Sequence, residues 1–207
     1  LRRHFLAISK YLALIAVPLQ VGLALVADAL VHVLLTEKWV DAVPLLQLMA
    51  LAGAFVAATV AAPQLLSARG RADTMLRAAI ACHGAQIAAV WIAARSGPLG
   101  VAAAIAGVTV LSRIYLVWLG VRELGLRPAD YLAVVWPTLI ATTVMALSVS
   151  LTQLGLRHSV STVTSLVITS VIGALVYSTV LHLRDRAVYS DLRGAARTLA
   201  ATAPPST

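Results

Sequence analysis

The sequence predicts an all-α fold, a polytopic bundle of membrane-spanning helices, and three observations predict it. Six long apolar stretches follow one another with short loops between them. The composition is 60% hydrophobic and 12% charged, with a mean hydropathy of +0.92; a soluble domain keeps roughly a quarter of its residues charged. Lys and Arg are dense in alternate loops and sparse in the others.

The stretches run over residues 11–36, 42–66, 74–94, 98–121, 131–156 and 159–183. Each has the ~17–25 residues that a helix rising ~1.5 Å per residue needs to cross ~30 Å of hydrocarbon. Transmembrane β-strands would be shorter and would alternate in polarity, which excludes a barrel. Short loops make consecutive spans antiparallel neighbours, in three helical hairpins. Punctuation marks the joints: Asp41 and Pro44 open the second span, where a missing amide donor costs nothing, and Ser96-Gly97-Pro98 turns the chain into the fourth. Gly125-Leu126-Arg127-Pro128 separates the fourth from the fifth, and Gly155 ends the fifth.

The net charge of +8 and pI near 10.6 would suit a nucleic-acid binder, but the positions of the charges argue for a membrane instead. Twelve lie before the first span, around the second and fourth loops and in the tail, at Arg2, Arg3, Lys10, Arg69, Arg71, Arg77, Arg122, Arg127, Arg184, Arg186, Arg193 and Arg197. Only Lys38, Arg95 and Arg157 occupy the intervening loops, and Arg113 lies inside a span. The positive-inside rule then puts both termini in the cytoplasm. An even number of spans requires the same thing independently. Residues 1–183 are thus read as a six-span lobe and 184–207 as a basic cytoplasmic tail. Within the tail, 184–201 reads either as a short interfacial helix or as a solvated segment, and Ala203–Thr207 as disordered. Opening on Leu1 rather than Met, the chain reads as the back part of a longer protein.

Pro18, Pro63 and Pro137 lie inside spans, where each removes a backbone hydrogen bond and loosens its helix. Such breaks are tolerated where neighbours satisfy the freed carbonyl, and they favour a moving, cavity-lined bundle. Gly53, Ala57 and Ala61 form one small-residue seam, and Ala103 with Gly107 another, suited to close helix packing. The lone Cys82 excludes an internal disulfide and reads as a packing residue.

Ionisable groups in hydrocarbon cost about 2.5–3.5 kcal/mol at a helix centre, so each is a candidate for function. Asp28 and His32 share a face of the first span, either as a proton- or cation-responsive pair or as a water-reachable pair that only satisfies itself. His83 and Gln86 share a face near mid-membrane, suited to a sugar or a watery path, or to an interhelical hydrogen bond. Gln20, Gln47 and Gln64 carry the same two readings. Arg113 either snorkels to the headgroups or faces inward, where its guanidinium would clamp a lipid phosphate. The hydroxyls of the fifth and sixth spans, Thr138 to Ser170, can bond their own helix or join the two helices. No metal-ligand spacing, phosphate-cradling loop or nucleophile elbow is present, so neither cofactor nor catalytic residue is expected.

Residues 35–46, Leu-Thr-Glu-Lys-Trp-Val-Asp-Ala-Val-Pro-Leu-Leu, look like the Leu-Gly-x-Lys-Trp, x-x-Ala-x-Pro-Leu turn of bacterial polysaccharide exporters, the lipid-linked oligosaccharide flippases. Leu66-Ser67-Ala68-Arg69-Gly70-Arg71 resembles their Leu-x-Ala-x-Gly-Arg turn, and Gly97-Pro98-Leu99-Gly100-Val101-Ala102 their Gly-x-x-Gly-Val-Ala helix start. The resemblance covers residues 10–125, with Thr36 where the family has Gly. It implies the C-terminal lobe of a two-lobed protein of the multidrug/oligosaccharidyl-lipid/polysaccharide superfamily in the bacterial cytoplasmic membrane. It further implies a missing N-terminal lobe, membrane lipids as surroundings, and alternating-access transport of a polyprenyl-diphosphate glycan. Arg113, His83 and Gln86 are the expected substrate path, with Asp28 and His32 as further candidates. The rival readings are a drug or cation antiporter of the same superfamily, a membrane-embedded glycan or lipid-phosphate transferase, and a non-transporting scaffold.

Overall fold

The computed structural model describes residues 2–35, 37–156 and 161–184. Among these residues the protein is helical, without strands. α1 covers Arg2–Leu34, followed by a 3-10 turn at Glu37–Ala42, α2 at Val43–Thr59 and α3 at Ala61–Ala68. α4 covers Ala72–Ala93, α5 Gly97–Glu123, α6 Pro128–Leu156 and α7 Thr162–Arg184. Five stretches are long and apolar enough to cross a membrane: Arg2–Leu34, Glu37–Ala68, Ala72–Glu123, Pro128–Gly155 and Thr162–Leu183. The 52-residue Ala72–Glu123 stretch doubles back on itself. A 3-10 turn at Ala94–Ser96 and a left-handed Gly97 (φ 75°) break it into α4 and α5, which pack together.

The three hairpins read from the sequence are present as α1–α2, α4–α5 and α6–α7. α1 runs through the middle, packed on α2, α6 and α7, while α5 packs on α2 and α3. Among the described residues, the N-terminus, the α3–α4 loop and the α5–α6 loop meet at one end of the bundle. Arg69 and Arg71 of the α3–α4 loop pair with Glu123 at the end of α5. The Arg2 guanidinium lies 3.0 Å from the position a Cβ on Gly125 would take. Large apolar side chains cover the outside: Trp91 is 80% and Ile92 82% exposed within the bundle, an arrangement stable against lipid and unfavourable in water.

α1 begins nine residues before the predicted span. Its basic first turns stay helical because Phe5 and Ser9 are buried against the bundle, Phe5 beside the Tyr131 ring with 5.9 Å between centroids. The predicted span 42–66 is two helices, broken at Val60. Pro63 explains the break: it has no N–H to give to the Thr59 carbonyl four residues back, and its ring crowds that carbonyl. The Tyr131 hydroxyl of α6 donates to the adjacent Ala58 carbonyl at 2.5 Å, pinning the broken turn from outside. Pro18 leaves α1 continuous. The carbonyl it orphans belongs to Leu14, and the Tyr177 hydroxyl of α7 donates to that oxygen at 2.5 Å. A neighbour satisfies the freed carbonyl, as hydrocarbon surroundings demand.

Gly53 bears out the first small-residue seam: a Cβ there would sit 3.1 Å from the Gln20 side chain of α1. The second seam requires correction. Ala103 and Gly107 face outward, with nothing within 4 Å of a Cβ built on Gly107. α5 buries Ala102 and Ala106 instead, and makes its close approach at Gly120, where an added Cβ would lie 3.3 Å from the Ala62 Cβ of α3. The α6 and α7 hydroxyls mostly turn back on their own helices, with Thr143 bonding Leu139, Ser148 bonding Val144 and Thr169 bonding Ser165. A longer polar link joins α6 to α1, where Gln153 Nε2 donates to the Leu25 carbonyl at 2.9 Å. The tail 185–207, with its interfacial-helix and disorder readings, lies outside the described residues, as do Thr36 and Arg157.

Candidate functional site

A polar groove of about 480 Å³ lies between α3, α4 and α5. α4 packs mainly on α5 yet buries only Ala78 among its residues, so its inner side leaves space against α3 and α5. His83 and Gln86, three residues apart, face that space along with Cys82. Opposite them on α5 stand Thr109, Ser112 and Arg113, a spacing of three and four that keeps all three on one face. Pro63 and Gln64 of α3 complete the wall just past the helix break at Val60. Gln86 Nε2 donates weakly to Thr109 Oγ1 at 3.4 Å, linking the two sides.

Arg113, His83 and Gln86, grouped in the reading of the sequence, line one groove. Arg113 lies ten residues from the end of α5, about 15 Å along the axis at 1.5 Å per residue. Among the described residues lining the groove there is no carboxylate, and the guanidinium is its one permanent charge. Such a site favours an anion with hydrogen-bonding groups around it, because Arg presents several donors in a planar fork matched to phosphate. Cys82, read as a packing residue, is half-buried on the groove wall. Gln64 gains weight from its position there. Thr109 and Ser112 were missed as site residues, although their helical spacing with Arg113 was visible in the sequence.

Asp28 and His32 lie elsewhere, near the other end of α1. His32 Nδ1 is 3.5 Å from Asp28 Oδ1 and 2.9 Å from the Asp28 carbonyl oxygen, and both side chains are exposed. They contact each other at an exposed position and do not join the groove.

The three motif turns are structural devices. Pro44 stands in the first turn of α2, as its missing donor requires, and Trp39 lies exposed in the 3-10 turn before it. Gly70 takes a left-handed conformation (φ 69°) that reverses the chain between Arg69 and Arg71. Gly97 does the same before α5. Arg127 and Asp130 cap α6: the Arg127 N–H donates to Asp130 Oδ2 at 3.0 Å.

Comparison with known proteins adds to this geometry. Residues 1–44 match the model of a family described as "Polysaccharide biosynthesis protein". A stretch of 73 residues is 40% identical to the teichuronic acid biosynthesis protein TuaB of Bacillus subtilis (strain 168), covering 35% of this chain and 15% of that protein. The chain thus matches a small part of that relative's length. No solved structure matches it. The helical bundle with its long apolar stretches and these two matches point the same way: over the matched residues the chain is similar to polysaccharide biosynthesis proteins.

Proposed function

We propose that this chain is one lobe of a transporter that moves a lipid-linked glycan across the bacterial cytoplasmic membrane by alternating access. The observation that carries the reading is the groove, an open-sided surface between α3, α4 and α5 whose walls bring Arg113, His83, Gln86 and Gln64 together. A diphosphate and its sugars cannot enter hydrocarbon unaided, since every unpaired polar group costs several kcal/mol there. A cation with amides and hydroxyls around it lowers that barrier. Pro63, beside the groove, removes one helical hydrogen bond where α2 passes into α3, a loosening that suits a moving wall. TuaB's description as a teichuronic acid biosynthesis protein supports a glycan-linked cargo for this chain.

In this proposal the bundle crosses the bilayer six times. α2 and α3 together make one crossing, while α4, with 22 residues, and α5, with 27, make one each. Both described ends, and the tail beyond, then face the cytoplasm. A second lobe of the same protein supplies the opposite wall of the cavity. A cation antiporter would want a carboxylate in the groove, whereas Asp28 stands on another helix, beside His32.

The test is complementation of polysaccharide export by the full-length protein carrying Arg113→Ala or His83→Ala, with membrane levels matched. Loss of export with accumulation of lipid-linked precursor in the inner leaflet is the expected result. Export at the parental rate by both variants would refute the groove as the route.

A further inference from the structure

At the arginine-rich end of the groove, two cations converge on one anion. Glu123, the last residue of α5, receives Arg71 Nη2 at 2.8 Å on one carboxylate oxygen and has Arg69 Nη1 at 3.5 Å from the other. Arg69 Nη1 also donates to the Glu123 backbone carbonyl at 2.6 Å, satisfying one of the last acceptors of α5. Gly70 between the arginines, left-handed at φ 69°, is what brings both onto the same partner.

Position gives this cluster its meaning. The groove wall runs down α4 to Met75 and along α5 to Leu116. Arg71 lies one turn beyond Met75, bonded to it through its carbonyl at 3.0 Å, and Glu123 lies two turns beyond Leu116. The three charges therefore tie the α3–α4 loop to the end of α5 one to two turns beyond the last residues that line the groove.

We propose that Arg69, Arg71 and Glu123 form a charge latch that holds the arginine-rich end of the α3–α4–α5 groove shut and admits water to it when it parts. The pairs are suited to switching. Arg71 is over half exposed and Arg69 about 40% exposed, while Glu123 is 23% exposed. Ion pairs at such a site hold an equilibrium by a few-fold rather than irreversibly, and salt weakens them. The role of the latch in transport rests on the groove being the route; its existence does not.

Cys82 on the groove wall is a built-in reporter of that opening. The rate of its modification by a small water-soluble maleimide is measured in membranes containing the full-length protein, with Cys82→Ser as the background. E123Q, which keeps the side-chain shape and removes the charge, is expected to raise the rate about three- to ten-fold. R71Q is expected to raise the rate as well, and R71Q/E123Q to label no faster than E123Q alone, because Arg71 acts through Glu123; a variant that merely misfolds would not show this coupling. Raising the salt from about 0.1 to about 1 M should accelerate labelling of the parent and leave E123Q unchanged. An E123Q rate equal to the parent's, or effects of R71Q and E123Q that simply add, overturns the latch. Export measured on the same variants reports separately on the groove as the route.

Discussion

The Tyr177 hydroxyl and Pro18 form a compensating pair whose coupling is measurable. Pro18 cannot donate to the carbonyl of Leu14, and Tyr177 donates to that oxygen from α7 at 2.5 Å. Tyr177→Phe removes the donor, keeps the ring that packs with Tyr11 against Leu14 and Leu181, and leaves the Leu14 carbonyl orphaned in the bundle. An orphaned buried acceptor costs about 1–3 kcal/mol in water-soluble proteins. Interhelical hydrogen bonds in membranes average about 0.6 kcal/mol with a maximum near 1.7, so a loss of about 1–1.5 kcal/mol is expected. In a Pro18→Ala background, residue 18 regains its N–H and donates to Leu14 within α1. There Tyr177→Phe should cost no more than about 0.5 kcal/mol, a coupling of about 1 kcal/mol in the double-mutant cycle. Unfolding by SDS titration in mixed micelles, followed by circular dichroism, measures all four corners. An equal cost of Tyr177→Phe in both backgrounds would show that the hydroxyl does not compensate the proline, and the reasoning would fail.

Three further outcomes are expected in the same assay. Gly120→Val should destabilise by about 1–3 kcal/mol, because its methyls would enter α3 where even a Cβ lies 3.3 Å from Ala62, while Gly107→Val stays within about 0.5 kcal/mol because nothing lies within 4 Å; equal effects at the two glycines would refute the assigned faces of α5. Tyr131→Phe should cost about 0.6–1.5 kcal/mol by releasing the Ala58 carbonyl at the α2–α3 break, with its ring contact to Phe5 retained. Gly70→Ala should cost about 1–2 kcal/mol through its left-handed φ of 69°, although a Cβ there meets nothing; a neutral result would mean the turn can relax.

The sequence alone determined the solvent and the class of fold. Apolar runs of spanning length leave a chain no folded state in water, and short loops between them force antiparallel hairpins, all three of which form. It also located the candidates Arg113, His83 and Gln86, since polar groups stand out against hydrocarbon, together with the glycines of the turns. It could not decide which faces meet. Ala103 with Gly107 and Gly120 are equally small, and only the packing of α5 on α2 and α3 turned the first pair outward and the last inward. Nor could it say that Tyr177 lies against Leu14, that Glu123 receives two arginines from a loop over fifty residues earlier, or that groups on α3, α4 and α5 share one groove while Asp28 and His32 do not. Helical periodicity fixes which residues share a face of one helix. The rotation of each helix toward its neighbours is set by side-chain shape and by hydrogen bonds between distant residues, and those exist only once the bundle is assembled.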